Sequence, residues 1–220
     1  MEYSERTKRV RIYLDLDTLI PVPSLLPHLI EILQRDDCPI IRERAAKALA
    51  TYRDKGATEA LIKALKEDGS ELVRKIAADA LGEHRNENTT VALIEALGRD
   101  DNKWAWEAIA EALYKHRSRK ATLLLIEALE NNPSERVRVV AVRAIDKRRG
   151  RRPTKALIKT LNEDESWLIR TLAAGALGDR WGRTATKALK KATRDDHPIV
   201  QAMAAKGLRN FWHGMPKVAA

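Results

Sequence analysis

The chain has 220 residues, 44% apolar and 33% charged, with a net charge of +10 and a single Phe among 5% aromatics. That mixture excludes a disordered chain, and no apolar run approaches the ~18 residues of a membrane span. The segment "EYSERTKRVR" after Met1 has no apolar core, so no secretory signal is expected and the compartment reads as cytoplasmic. Cys38 is the one cysteine. It rules out an internal disulfide, fits a reducing cytosol, and reads as a small residue in the turn "DDCP".

Taken in chain order, residues 1–21 come first. "RVRIYLDLD" alternates Val10, Ile12, Leu14 and Leu16 with other residues, a strand period. The segment reads as an extended N-terminal cap, with a first helix running toward Pro21 as the alternative. Repetition follows. "LLPHLIEILQRDDCPIIRERAAKAL" is an irregular first copy, and the segments at 57, 89, 121 and 153 then align without gaps at a 32-residue interval. They begin "ATEALIKALKED", "TTVALIEALGRD", "ATLLLIEALENN" and "PTKALIKTLNED"; a last copy, "ATKALKKATRDD", starts at 185 and loses one residue before its second half.

Within a copy, Leu61, Ile62 and Leu65 form one helical stripe, and Val73, Ala77, Ala80 and Leu81 form another after the turn "EDGSE". Each copy is therefore a helix pair. A pair this short cannot bury its apolar faces alone and must stack on its neighbours. The expected fold is all-α: an α-α superhelix, or α-solenoid, of about six hairpins. Boundaries fall near 22–56, 57–88, 89–120, 121–152, 153–184 and 185–214, with a loose tail over 215–220. Lys190 and Thr193 replace apolar columns in the last copy, as a capping repeat requires.

"ALIKALKEDGSELVRKIAADALG" resembles a HEAT repeat of the PBS-lyase HEAT-like type, and the resemblance extends over nearly all of 22–214. It implies the solenoid fold but not one function, since the family includes adaptors, chromophore lyases, metal hydroxylases and designed scaffolds. The family's ladder of Asp/Arg pairs also has a counterpart. Asp36, Asp68 and Asp164 precede Arg42, Arg74 and Arg170 by six residues, and Asn132 precedes Arg138 in the same way. An Arg in a helix's first turn opposes the helix dipole, so the Asp of the preceding turn is expected to pair with it. These arginines read as structural. Trp106 and Gln201 break the series.

Charge is unevenly placed. Between Lys115 and Arg152 there are 12 Lys/Arg against 4 Asp/Glu, a local excess of +8. "YKHRSRK" (114–120) and "DKRRGRR" (146–152) sit one repeat apart, and "GDRWGRT" continues the series. A basic edge is expected, made of Arg117, Arg119, Lys120, Arg148, Arg149, Arg151, Arg152, Arg180 and Arg183. Such an edge can grip phosphates, and Trp181 offers a stacking surface. The second helices are expected to line a concave face, with Glu43, Lys47, Lys75, Asp79, Glu107, Glu111, Arg143, Lys147, Lys206 and Asn210 exposed and Thr171, Leu172 and Gly175 among them in the fifth repeat. Lys75, Asp79, Trp106, Glu107, Glu111 and Arg143 are the candidate partner contacts. Trp104, Trp106 and Trp167 are candidate anchors, although packing between repeats is the expected role of each.

No catalytic residues, cofactor or metal are expected. The HEAT-like hydroxylases present His-Glu dipeptides to iron, whereas the five histidines here are followed by Leu29, Arg85, Arg117, Pro198 and Gly214. His84 and His116 occupy equivalent columns without a third ligand. "DDNKWAWEAIAEAL" and "ESWLIRTLAAGAL" faintly resemble Trp-bearing segments of HEAT-like alkylpurine DNA glycosylases, but Ala110 stands where the resemblance asks for an acid. The leading expectation is a monomeric, non-enzymatic adaptor for a protein or peptide on the concave face. The alternative is a nucleic-acid or polyanion binder using the basic edge, with a glycosylase as its enzymatic form.

Overall fold

The structure is a computed structural model that describes residues 23–99, 103–180 and 182–214, the side chains of 103–104 and 211–214 excepted. The expected N-terminal cap over 1–21, the tail over 215–220, Trp181 and the Trp104 side chain lie outside the described residues. All regular structure among the described residues is helical. After a 3-10 turn at Pro23–Leu25 come α1 (Leu26–Arg35), α2 (Pro39–Leu49), α3 (Lys55–Glu67), α4 (Glu71–Leu81), α5 (Glu87–Arg99) and α6 (Lys103–Lys115). They are followed by α7 (Arg119–Asn131), α8 (Glu135–Asp146), α9 (Arg151–Glu163), α10 (Trp167–Gly178), α11 (Arg183–Ala192) and α12 (Pro198–Gly214). Odd-numbered helices are the first members of hairpins and even-numbered helices the second. The chain divides into two compact units, Met1–His116 and Arg117–Ala220, each with three of the hairpins.

The stripes follow from composition and spacing. In α3, Ala57, Ala60, Leu61, Ala64 and Leu65 are buried at i, i+3, i+4, i+7 and i+8, one face of a 3.6-residue period. Asp54 starts this helix by accepting from Gly56 N–H at 2.6 Å and Ala57 N–H at 3.4 Å, so it caps amide donors that have no partner inside the helix. The second helix α4 buries Val73, Ala77, Ala78, Ala80 and Leu81. It must do so because α4 packs on α3 of its own hairpin and on α2 and α6 on either side. In the second unit α10 lies likewise against α9, α8 and α12.

Small residues set how closely second helices approach. A Cβ added to Gly178 would lie 2.8 Å from the Gly207 Cα, so α10 and α12 touch backbone to backbone there. Gly82, at the end of α4, meets Ala112 of α6 in a similar way, at 3.1 Å from its Cα.

The charge ladder is real, but its connectivity differs from the expectation. Arg42 donates from Nε and Nη2 to both oxygens of Asp68, each at 2.8 Å, and from Nη1 to the Asp36 carbonyl at 2.7 Å. The carboxylate therefore comes from the next repeat, and the Asp six residues earlier contributes only its backbone oxygen. Arg138 pairs in this way with Asp164 at 3.0 and 3.3 Å, and Arg170 with Asp195 at 2.9 Å to each oxygen. Each turn acid is occupied locally as well: Asp36, Asp68, Asn132, Asp164 and Asp195 accept from the amide two residues on, at 2.8–2.9 Å. Such an Asx turn explains why Asn132 serves as well as Asp at that position. The Arg, in turn, lies against the carboxyl end of the preceding first helix, where a cation is favoured. Where Trp106 replaces the Arg of the column, the turn one repeat later carries Asn132 instead of Asp; that step of the sequence has lost both charges.

Candidate functional site

The basic edge of the second unit lies in the loops that lead into the first helices and in the first turns of those helices. Arg117, Arg119, Lys120, Arg149, Arg151, Arg152 and Arg183 are exposed there. Two of the expected members are not. Arg148 and Arg180 are 7% and 6% exposed. Arg180 donates from Nη1 to Thr154 Oγ1 at 3.1 Å and from Nη2 to the carbonyls of Ile145, Arg148 and Asp146 at 2.9, 2.8 and 3.2 Å. Arg148 donates to the Ala144 carbonyl. Burial, with Arg117 as a nearby like charge, pushes the Arg148 guanidinium down to about 10, so it stays charged at neutral pH. Burial also lowers Arg180, with Asp146 opposing and Arg149 reinforcing the change.

In the sequence these two arginines stand, at the 32-residue interval, where earlier repeats carry His84 and His116. The His84 Nε2–H group faces the Ala50 carbonyl at 3.2 Å, and its Nδ1 lies 2.8 Å from the Thr58 hydroxyl. In His116, Nε2 faces the Leu81 carbonyl at 3.0 Å and Nδ1 the Thr90 hydroxyl at 2.8 Å. Arg180 reaches the equivalent pair, Ile145 O and Thr154 Oγ1. His84, His116 and Arg180 each tie the start of their own repeat's first helix to the carboxyl end of the previous second helix. That end carries carbonyls without intrahelical donors. The signal was present in the sequence, because positions 84, 116, 148 and 180 recur at the repeat interval; reading Arg there as an edge ligand missed it. Among the described residues, no group of three or more His, Cys, Asp or Glu side chains is arranged to hold a metal ion.

Beside Arg180 the edge opens into a cavity of about 750 Å³. Arg149, Gly150, Arg151, Thr154, Lys155 and Ile158 form one side, and Asp179, Arg180 and Thr184 the other. Arg149 is held over it by a 2.9 Å bond from Nη1 to the Asp179 carbonyl. The first turn of α9 also borders the cavity. Its N-cap is Gly150, at φ 123°, so no side chain caps it. Gly182 at φ 145° opens α11 in the same fashion. Both backbones lie where a Cβ is strongly disfavoured. Of the other first helices, α3 is capped by the Asp54 side chain and α7 by that of Ser118, while α1, preceded by Leu25, has no side-chain cap.

On the second-helix face, Lys75 and Asp79 are half-buried and paired at 3.4 Å, while Glu107 and Glu111 are exposed. All four are in the first unit. Trp106 is half-buried there, with its indole Nε1 enclosed and no hydrogen-bond partner among the described residues. Arg143 is exposed in the second unit. Thr171, expected on this face, is buried and donates to the Trp167 carbonyl at 2.8 Å. Trp167, expected to be packed, is 41% exposed. Its ring stacks on His197, with centroids 4.3 Å apart and planes 6° from parallel. Ala110, the position at which a glycosylase-like acid was absent, is buried.

Repeated helical hairpins that stack second helix on second helix, joined by a ladder from Arg to the next repeat's Asp, define an α-solenoid repeat protein. The family description of HEAT repeats matches residues 26–114 and 122–218. The chain belongs to the HEAT-repeat family. Solved structures similar to it include human deoxyhypusine hydroxylase in complex with glycerol, at 18% identity and TM-score 0.46, covering 96% of this chain and 99% of that one. The CpcE–CpcF complex of phycocyanin lyase from Nostoc sp. PCC7120 is similar at 24% identity and TM-score 0.42, covering 97% and 82%. A designed armadillo repeat protein is similar at 21% identity and TM-score 0.42, covering 84% and 99%. No curated protein matches the sequence. No helix among the described residues is long and apolar enough to cross a membrane.

Proposed function

We propose that the protein is a non-enzymatic scaffold that binds a protein or peptide partner on its second-helix face. The observation that supports this reading is where its large exposed apolar side chains fall. Ile40, Leu72, Trp167, Leu168 and Ile199, five of the six among the described residues, all occupy the first turn of a second helix. Exposed apolar residues scattered singly carry no meaning, but recurrence in the same turn of successive repeats favours an interaction surface. Leu72, Lys75 and Asp79 follow one another at i, i+3 and i+7 and so share a face. Glu107 and Glu111 lie on the corresponding stripe of α6, and Arg143 on that of α8. Apolar anchors ringed by charges suit a peptide, whose backbone and side chains need both.

The test is a peptide selection from a random library on the immobilised protein, followed by affinity measurements on two variants, Leu72→Asp and Glu107→Ala/Glu111→Ala. Affinity is expected to fall about tenfold or more, the loss of one well-placed anchor, with the circular dichroism spectrum unchanged. Selected peptides that bind both variants as tightly as the parent would refute the reading.

The exposed arginines of the edge favour a second reading, backbone-led binding of a polyanion. Titration of a labelled DNA duplex between 50 and 200 mM salt decides it, because six or more phosphate contacts would weaken binding roughly a thousandfold over that range. Absence of binding at the lowest salt excludes it.

A further inference from the structure

The cavity beside Arg180 is charged in a way that the fold does not require. Arg149, Arg151 and Lys155 line it in exposed positions, and Asp179 is the single acid among its lining residues. In the ladder Arg42, Arg138 and Arg170 each hold a carboxylate; here three exposed cations share one acid. The first turn of α9 adds the positive end of a helix dipole, uncapped by any side chain because Gly150 precedes it. Thr184 brings a hydroxyl to the same space, while that of Thr154 is already donated to the Gly150 carbonyl at 2.9 Å. Arg180, buried in the wall, has its Nη groups committed to Thr154 and to carbonyls; it fixes the wall and adds field rather than contact.

We propose that this cavity is a receptor for a phosphomonoester dianion, of the kind borne by a phosphorylated serine or threonine in a peptide partner. Convergence favours a compact dianion over a strand. Arg149 from the α8–α9 loop, and Arg151 and Lys155 from the first two turns of α9, line one space, which suits three terminal oxygens and a charge near −2. A phosphodiester offers one charge per phosphate and needs positions spaced along a line. The described lining contains no aromatic ring for a base to stack on, and Ile158 is its only aliphatic side chain. The peptide as carrier rests on the scaffold reading above; the affinity for the phosphate group does not.

Fluorescence anisotropy of the full chain tests this. The probe is a fluorescein-labelled peptide with one phosphoserine flanked by glycine and serine, measured beside its unphosphorylated twin. The phosphorylated probe is expected to bind about tenfold or more tightly than its twin, and millimolar inorganic phosphate to displace it. Arg151→Ala and Lys155→Ala, both at exposed positions, are each expected to weaken it about tenfold, the loss of one charge-assisted hydrogen bond. Equal binding of the two peptides with no heat on titrating inorganic phosphate would overturn the proposal, as would undiminished binding by both variants. Inorganic phosphate and O-phosphoserine binding as tightly as the phosphopeptide would keep the site and overturn the peptide as its source. Displacement by duplex DNA but not by phosphate would overturn the dianion in favour of a strand along the edge.

Discussion

Replacing Arg42 by Met and Asp68 by Asn, singly and together, isolates one rung of the ladder. Arg42→Met keeps a long apolar stem but removes the fork that donates to both Asp68 oxygens and to the Asp36 carbonyl. The two side chains are 15% and 6% exposed, so the carboxylate left behind is poorly hydrated; losing one partner from such a pair costs about 3 kcal/mol. Asp68→Asn preserves the turn, since Asn132 already accepts from the Ser134 amide at 2.9 Å in that role. It strands a guanidinium that still holds carbonyl acceptors, at about 2 kcal/mol. The double variant buries no unpaired charge and is expected to cost about 3 kcal/mol, leaving a coupling of about 2 kcal/mol. Urea unfolding followed by circular dichroism at pH 7 measures it. A coupling below about 0.5 kcal/mol would place the pair among solvent-screened surface pairs and refute the argument.

The same cycle has a pH signature. Burial pushes the Asp68 carboxyl up, but hydrogen bonds from Arg42 and the Ser70 amide, together with the Arg42 and Arg74 charges, outweigh it and hold the group below its ordinary value. A depressed carboxyl stabilises fully above its unfolded value, about 3.9, and loses that stability as pH falls through the folded value. The coupling should therefore persist from neutral pH to about 5 and fade below about 4.

Three further outcomes are expected. Burial lowers His84, more than its hydrogen bond to Ala50 and the Glu83 charge raise it, with Arg53 adding to the lowering. Its contribution is thus full above the unfolded value near 6.5 and lost as pH falls through the folded one, so urea midpoints should drop on acidification below about 6.5, less steeply in His84→Asn. Gly178→Ala forces a Cβ against the Gly207 backbone and should cost about 2 kcal/mol, or roughly 4–8 °C in melting temperature, whereas Gly69→Ala, with nothing within 4 Å, serves as the neutral control. Gly150→Ala must hold a side chain at φ 123° and should lose about 1–3 kcal/mol by the same unfolding assay.

The hairpin architecture was legible in the sequence because helix periodicity and repeat spacing are local properties of a chain. Apolar residues at 61, 62, 65, 73, 77, 80 and 81 announce two buried stripes wherever the helices end up, and Asp or Asn at the turns announces an Asx turn within three residues. Partners that depend on the rise from one repeat to the next were not legible. Asp68 lies 26 residues from Arg42 and only six from Arg74, and sequence distance favours the wrong pairing; stacking brings the distant one to 2.8 Å. The same holds for the edge. Arg148 and Arg149 are neighbours of one type, yet 7% of the first is exposed while the second faces water, because only position 148 falls on the column that His84 and His116 occupy. Composition could announce that a basic edge exists. Only the packing of helix ends, which must satisfy the carbonyls left by each second helix, decided which of its arginines are spent inside and which remain exposed.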